Sequence, residues 1–256
     1  MCQPTRFLSA AVIAILLSAT TANAQSVLYF ADEAANPSGN VTPQALTAQG
    51  IVPTIATSEA DFVTQLGAGG WNLVILYPQL DPLPDATTAL VGWVNGGGKA
   101  ISGSTFLDDT YAVAFDARYL GDPNIDRDEI AGVPGDPLFA GVASPITLSN
   151  PGWNVFSAEL EALSGGIVSA TFTATGTAAV ITGNDGFTVF NGFLDDTYDG
   201  ATQAARLSVA QNQIQTVLAA GVVAVPEPGT GLLALAGVGV GAGLLRRRRG
   251  DMKHTD

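Results

Sequence analysis

Strand-like and helix-like runs alternate through the first half of this chain, and this alternation restricts its fold more than any other feature. The apolar runs have strand length, and the helical runs place their apolar residues on one face. The predicted strands are Val27–Ala31, 52–56, Leu73–Tyr77 and 99–102. The predicted helices are 41–49, the run that Ser58 caps and Gly67 ends, and 85–95, which stops at three glycines. Three successive β-α-β steps predict an α/β fold, with parallel strands and helices on both faces of the sheet.

The second half of the chain is less regular. Turn signals such as Asp122-Pro123 and Asn150-Pro151 make residues 111–151 a loop-rich stretch. Three β-rich runs follow, separated by short spacers, at 167–174, 178–182 and 187–190. Short spacers favour antiparallel pairing, so we expect an antiparallel edge on the parallel sheet. A helix over 201–220 has apolar residues every three or four positions, which predicts that one of its faces packs on the sheet.

The first 24 residues form a targeting segment. Arg6, an apolar run over 7–19 and the small-x-small site Ala22-Asn23-Ala24 together predict a secretory signal peptide that is cleaved after Ala24. Cys2 leaves with this signal peptide. The domain that remains covers residues 25–221, about 200 residues, which is enough for one domain with a full hydrophobic core.

Residues 222–256 form a second targeting segment, in three parts. The helix-breaking residues Pro226, Glu227 and Pro228 precede seventeen uncharged residues over 229–245. Four arginines then follow: Arg246, Arg247, Arg248 and Arg249. A seventeen-residue helix spans about 25 Å, which is short for a bilayer core of roughly 30 Å, and its glycines weaken it further. We expect a transmembrane helix that holds the chain briefly, with the basic tail in the cytoplasm; an ordinary single-pass anchor is the alternative.

This three-part order resembles the PEP-CTERM sorting signal of bacterial envelope proteins. The resemblance covers roughly residues 225–249. It implies that a membrane-embedded sorting protease of the exosortase type is a partner of the chain. It also implies an exported protein that passes through an intermediate anchored in the inner membrane and then reaches the cell surface or the extracellular space.

The exported part of the chain is strongly acidic. From Gln25 to Pro228 it has four basic residues against 21 acidic ones, a formal charge of −17. Such a surface repels nucleic acid and anionic lipid, so we exclude nucleic acid as a partner. Cation binding, an extracellular polysaccharide as partner and a merely solvated acidic surface all stay open.

The order of elements in the domain resembles the class I glutamine amidotransferase-like fold, which is of the flavodoxin type. The resemblance is carried by residues 27–30, 71–76, 91–103 and 178–191. It implies a nucleophile on the tight turn after the strand 99–102. There this chain has Ser102-Gly103-Ser104 in place of a Gly-x-Cys-x-Gly elbow, and the family's general-base histidine has no counterpart.

Catalytic side chains are scarce in the exported domain. It contains no cysteine, and His254, the single histidine of the chain, lies beyond the four arginines. Lys99 or a carboxylate is therefore the remaining candidate to activate Ser102 or Ser104, and a zinc site lacks its usual ligands. We expect a non-catalytic binding or surface component. The alternative is an enzyme, either a degenerate amidotransferase-like hydrolase or a glycosidase that uses two carboxylates.

One hexapeptide, Phe-Leu-Asp-Asp-Thr-Tyr, occurs twice, at 106–111 and at 193–198. Each copy follows a predicted strand, and loops beyond the carboxyl ends of parallel strands form the ligand crevice of open α/β sheets. The candidate crevice residues are Asp108, Asp109, Asp195 and Asp196. They could bind a cation or sugar hydroxyls, but Asp-Asp-Thr is also an ordinary helix start.

A second acidic stretch has the oxygen spacing of a calcium loop. Its candidate ligands are Asp122, Asn124, Asp126 and Asp128. The match is partial, because Arg127 takes the place of the turn glycine and Val133 that of the bidentate acid. Calcium is therefore a possible cofactor, a solvated acidic loop is the alternative, and we expect no other cofactor.

Overall fold

The computed structural model describes residues 25–32, 39–106, 108–121, 127–149, 155–196 and 200–221. Contacts divide the chain into one unit over Met1–Ala220 and another over Gly221–Asp256. Apart from Gly221, the described residues all belong to the first unit. The signal peptide, the sorting signal and the predicted transmembrane segment 229–245 lie outside the described residues. Within the described ranges, no helix is both long enough and apolar enough to cross a membrane.

Five parallel strands form one side of the sheet. They are β1 (Val27–Ala31), β2 (Thr54–Ile55), β3 (Leu73–Tyr77), β4 (Ala100–Gly103) and β11 (Thr188–Asn191). Their order is β2-β1-β3-β4-β11, with every neighbouring pair parallel. This is the strand order of flavodoxin-like sheets, in which the chain reverses direction beside the first strand.

Helices cover both faces of these strands, as the alternation of elements predicts. The described helices are α1 (Val41–Ala48), α2 (Glu59–Ala68), α3 (Pro84–Asn95), α4 (Asp109–Val113) and α5 (Gly200–Ala219). Successive strand residues point to opposite faces, so Val27 and Tyr29 pack in a core with α1 and α5. Leu28 and Phe30 pack in a second core with α2, α3 and α4.

An antiparallel extension continues the sheet beyond β11. Its strands are β5 (Ala117–Tyr119), β6 (Glu129–Gly132), β7 (Ile146–Thr147), β8 (Leu160–Ala162), β9 (Ile167–Phe172) and β10 (Ala178–Gly183). Strand β10 pairs with β11, and the order continues through β9, β6 and β7. Strands β5 and β8 pair with each other, and β8 also touches β10. The predicted antiparallel part of the sheet is thus present.

The structure differs from the sequence prediction at several places. Helix α2 continues to Ala68 instead of ending at Gly67, and strand β8 and helix α4 were not predicted. The run 187–190 was expected at the antiparallel edge, but β11 pairs with β4 in parallel and lies where the two parts of the sheet join. Residues 111–151, expected to be mainly loop, contain β5, β6, β7 and a 3₁₀ turn at Pro137–Phe139. These elements have two to four residues each, too few to show a period. Strand β2 is shorter than predicted because it begins only after Pro53, which has no N–H to donate.

Local signals explain the helix boundaries. Ser58 caps α2 by accepting a hydrogen bond from the backbone N–H of Asp61 at 3.2 Å, as predicted. Pro84 occupies the first turn of α3, where no N–H is needed. At the other end of the domain, Lys99 donates a hydrogen bond to the carbonyl of Leu218 at 2.6 Å, in the last turn of α5.

Candidate functional site

The carboxyl ends of strands β1, β3, β4 and β11 meet along one border of the sheet, which we call the carboxyl edge. The residues that follow these strands are Asp32, Pro78, Ser104 and Gly192. The opposite border, where the same strands begin, is the amino edge. Ligands of open α/β sheets bind at the carboxyl edge, so this is where a functional site is expected.

Asp195 is buried at the carboxyl edge, where it caps helix α1. It is 1% exposed, and its carboxylate accepts hydrogen bonds from the Thr42 backbone N–H at 3.1 Å and the Thr42 hydroxyl at 2.6 Å. The Tyr29 hydroxyl donates a third hydrogen bond at 2.9 Å. Asn40, which holds the usual N-cap position, makes no side-chain capping bond. A carboxylate from the loop after β11 therefore accepts a hydrogen bond from a backbone N–H at the start of a helix that lies far from it in sequence.

Burial controls the protonation of this carboxyl. It raises the pKa of Asp195 to about 6, against the hydrogen bonds from Thr42 and Tyr29 and the charge of Arg206, which lower it. Burial, together with the charge of Asp195, also raises the pKa of Tyr29. The guanidinium carbon of Arg206 lies 4.4 Å from the ring centroid of Phe193. Asp195 thus titrates near neutral pH in a place that solvent does not reach.

A polar cluster links the strand ends to α5. The Asn191 amide donates to the Tyr77 hydroxyl at 3.0 Å and to the Ser102 carbonyl at 3.2 Å. Its oxygen accepts from the Gln213 amide at 2.8 Å. Asn191 and Gln213 are both buried, and satisfied buried amides fix the position of the elements that carry them. Burial also raises the pKa of Tyr77 well above its ordinary value.

Asp32 organises the loop after β3. Its carboxylate accepts three backbone N–H groups in succession, from Gln79 at 2.7 Å, Leu80 at 2.6 Å and Asp81 at 2.7 Å. The Gln79 side chain in turn accepts from the backbone N–H of Asp196 at 3.2 Å. Successive N–H groups of this kind form an anion-binding concavity, and here a carboxylate of the chain itself occupies it.

Ser102 and Ser104 are buried, with 0% and 1% exposure. The Ser102 hydroxyl donates to the Leu76 carbonyl at 2.5 Å and is also hydrogen-bonded to the Tyr111 hydroxyl. The Ser104 hydroxyl accepts from the backbone N–H of Phe106 at 3.1 Å. The resemblance implies a nucleophile at this turn. Both hydroxyls instead make structural hydrogen bonds to their own chain.

The two copies of the repeated hexapeptide have different surroundings. Asp108 caps α4 by accepting from the backbone N–H of Tyr111 at 3.2 Å, and Asp109 is exposed in the first turn of that helix. In the second copy, Asp195 and Asp196 are both buried. The first pair lies at the start of α4 and the second beside α1 and Gln79, so the two predicted crevice pairs lie against different elements.

A separate open depression of about 460 Å³ lies between α3 and α4. It is lined by Val91, Asn95, Asp109, Thr110, Val113 and Ala114. Asp109 is its single charged residue. The depression is thus lined by one predicted crevice residue, Asp109, and by none of the buried polar residues at the carboxyl edge.

Several predicted site residues lie outside the described residues. They are the sorting-signal residues Pro226, Glu227, Pro228 and Arg246 to Arg249, and the calcium candidates Asp122, Asn124 and Asp126. The backbone carbonyl of Asp128, the fourth calcium candidate, accepts from the Leu148 N–H at 2.6 Å. Over the described ranges, no group of three or more acidic, histidine or cysteine side chains could hold a metal ion. A calcium loop at 122–128 stays a prediction.

Sequence reasoning missed three residues that lie beside Asp195 or Asp196 at the carboxyl edge, namely Arg206, Gln79 and Thr42. Arg206 carried a usable signal, because it is the one charged residue in the twenty residues of α5 and it is 3% exposed. A buried arginine needs a partner, which points to a buried acid nearby. Gln79 and Thr42 carried no such signal, since neutral polar residues are ordinary in loops and helix starts.

Comparison with known proteins gives one sequence match and several structural ones. Residues 224–249 match the model of the PEP-CTERM protein-sorting motif. No curated protein matches the sequence. The fold is similar to the crystal structure of SMU.1228c, with a TM-score of 0.52 at 9% identity over 74% of this chain and 100% of that one.

Two further structures are similar at lower scores. A glutamine amidotransferase from Thermotoga maritima has a TM-score of 0.47 at 10% identity, over 77% of this chain and 97% of that one. Alpha-L-fucosidase isoenzyme 2 from Paenibacillus thiaminolyticus has a TM-score of 0.49 at 12% identity, over 77% of this chain and 33% of that one. At identities this low, the activities of those proteins are not assigned to this chain. The chain is thus an α/β domain with flavodoxin-type strand order, which carries at residues 224–249 the PEP-CTERM sorting motif of an exported protein.

Proposed function

We propose that this protein is a non-catalytic component of the cell surface or extracellular matrix. The PEP-CTERM motif is recognised by exosortase-type membrane proteases, and the chain that carries it is exported. Segment 229–245 holds the chain in the inner membrane until the protease cuts near Pro228. The released α/β domain then binds at the surface, with an extracellular polysaccharide as the partner class that fits its location.

The observation that supports a non-catalytic role is that the chain's own groups occupy the carboxyl edge. Ser102 is fully buried and bonded to Leu76 and Tyr111, while Asp195 caps α1. Attack by a serine needs an accessible hydroxyl with a base in reach. Between Gln3 and Lys253 the sequence has no cysteine and no histidine to act as nucleophile or base. Among the described residues of this edge, the buried Ser102 and Ser104 are poorly placed to act as nucleophiles, which supports the proposal.

The test is intact-mass spectrometry of the protein released by its own cells, before and after treatment with a fluorophosphonate. We expect a chain that begins at Gln25, ends near Pro228 and gains no phosphonyl group. A phosphonyl adduct that disappears in Ser102→Ala or Ser104→Ala would show that the domain is a serine hydrolase. An intact basic tail on the released protein would contradict the proposed processing.

The glycosidase alternative needs its own measurement. The released protein is incubated with a panel of nitrophenyl glycosides, beside an Asp195→Asn variant. No release above buffer is expected from either. Release by the wild type that the Asp195→Asn substitution abolishes would support a carboxylate-based enzyme and contradict the proposal. A glycan array with the same preparation then tests polysaccharide binding directly.

A further inference from the structure

The four basic side chains of residues 25–228 are all engaged inside the domain. Arg118 and Arg127 form ion pairs with glutamates in and beside β8, at N···O distances of 2.5 and 3.0 Å. The Lys99 ammonium donates to a backbone carbonyl in α5 at 2.6 Å, and Arg206 is buried. Since each of these positive charges is paired, hydrogen-bonded or buried, the domain is poorly suited to bind an anionic polysaccharide.

Net charge separates the remaining classes of polysaccharide. Four basic residues against 21 acidic ones give residues 25–228 a formal charge of −17. A surface of this charge repels uronate, sulfate and phosphate groups and attracts cationic groups. The common cationic group of polysaccharides is the protonated amine of an amino sugar. Charge complementarity therefore favours a partner that carries free amines.

The open depression between α3 and α4 has the size of a small-ligand site. Its volume of about 460 Å³ lies in the range of roughly 300 to 1,000 Å³ that such sites occupy. Val91, Val113 and Ala114 give it an aliphatic lining, and Val113 is exposed. Aliphatic surface of this kind can cover the C–H groups of a sugar ring and remove them from water.

Three polar side chains complete the lining of the depression, from Asn95, Asp109 and Thr110. Within the described part of the chain, these side chains make no hydrogen bond to other residues. An amide and a hydroxyl can each bind sugar hydroxyls, and a carboxylate accepts a strong hydrogen bond from an ammonium group. The depression thus combines one negative charge, two neutral polar groups and an aliphatic surface, which are the groups that an amino sugar needs.

We propose that the polysaccharide partner of this domain is rich in amino sugars with free amines, and that one such sugar binds in the depression between α3 and α4. The inference rests on the proposed function, because it names the class of polysaccharide that the released domain binds. Asp109 accepts a hydrogen bond from the ammonium group, while Asn95 and Thr110 bind ring hydroxyls. The rest of the acidic surface attracts neighbouring sugars of the polymer over roughly 8 to 10 Å at physiological salt.

The test is isothermal titration calorimetry of the released protein with hexamers of glucosamine, N-acetylglucosamine, galacturonate and lysine. At mildly acidic pH the amines are protonated, while exposed carboxylates stay ionised. Acetylation removes the positive charge and keeps the sugar, so the first two hexamers form a matched pair. We expect the glucosamine hexamer to bind at least about tenfold more tightly than each of the other three.

Two variants of the same net charge locate the site. Asp109→Asn keeps the shape of the side chain and removes its charge, so it should weaken binding of the glucosamine hexamer by at least about fivefold. Asp85→Asn is the matched control, because Asp85 is exposed at the other end of α3, about 15 Å along the helix from Asn95. The control should change the affinity by less than about twofold, since a charge at that distance is largely screened.

Each other outcome contradicts a stated part of the inference. Equal or tighter binding of the N-acetylglucosamine or galacturonate hexamer would overturn it, although the proposed polysaccharide partner would stand. Equal binding of hexalysine would show that the domain recognises charge without a sugar, which overturns it as well. Equal losses in Asp85→Asn and Asp109→Asn would remove the depression as the site.

The glycan array separates this inference from the proposed function. A positive array without binding of the glucosamine hexamer refutes the amino-sugar partner alone. An array with no bound glycan refutes the polysaccharide partner of the proposed function, and the amino-sugar site with it.

Discussion

Asp195 should make the stability of this domain depend on pH in a direction that is unusual for a carboxylate. Burial raises its pKa in the folded protein to about 6, from an ordinary value of 3.8. Because the folded-state pKa is the higher one, the stabilisation is complete below about pH 4 and is lost as the pH rises through 6. The difference of about two units corresponds to about 3 kcal/mol in the free energy of unfolding.

The perturbation that isolates this effect is Asp195→Asn. An asparagine cannot ionise, and its side-chain oxygen can still accept the hydrogen bonds from Thr42. We expect the free energy of unfolding of the variant, relative to the wild type, to rise by about 3 kcal/mol between pH 4 and pH 8. The assay is urea unfolding of the released protein, followed by tryptophan fluorescence at half-unit steps of pH.

The matched control is Asp109→Asn, in the other copy of the hexapeptide. Asp109 is exposed, so its substitution should change the free energy of unfolding by less than about 0.5 kcal/mol at every pH. If the pH profiles of Asp195→Asn and the wild type are parallel, the reasoning from burial to protonation is refuted.

The remaining predictions concern packing, capping and calcium. Gly192→Ala should lower the free energy of unfolding by about 1 to 3 kcal/mol, because its new methyl group would clash with the Ala158 carbonyl oxygen. Gly67→Ala, in α2 with nothing within 4 Å of the added carbon, should instead raise it by up to about 1 kcal/mol; equal effects of the two substitutions in chemical denaturation would contradict this. Ser58→Ala should cost about 1 kcal/mol by removing the cap of α2, and an unchanged denaturation midpoint would argue against it. Calcium at millimolar concentration should raise the melting temperature if residues 122–128 bind it, and a flat thermal-shift titration would remove that site.

The parallel half of the fold can be predicted from sequence because each element carries its own signal. The run Leu73–Tyr77 has no charged residue, and all of its residues are buried in β3. Ser58 marks the start of α2. The antiparallel half gives weaker signals. Strands such as β5 and β7 have three and two residues, and their pairing depends on partners far away in sequence rather than on a local pattern.

The candidate site shows why a local sequence pattern does not determine function. Identical hexapeptides place Asp108 at an exposed helix start and Asp195 in a buried cluster, so the sequence of six residues cannot determine their chemistry. What differs is the set of elements packed around them. Asp195 meets α1 and Tyr29, which no spacing along the chain could indicate.

Strand β2 is the edge strand on the parallel side of the sheet, and its short length affects whether another molecule can pair with this edge. The Ala56 N–H donates to the Tyr29 carbonyl. The backbone hydrogen-bonding groups of residues 54 and 56 therefore face β1, and those of residues 53 and 55 face away from the sheet. Pro53 has no N–H, and the Thr57 N–H is already bound to Asp61 at 2.9 Å. A strand from a second molecule would find few donors to pair with along residues 53–57, which disfavours edge-to-edge pairing at β2.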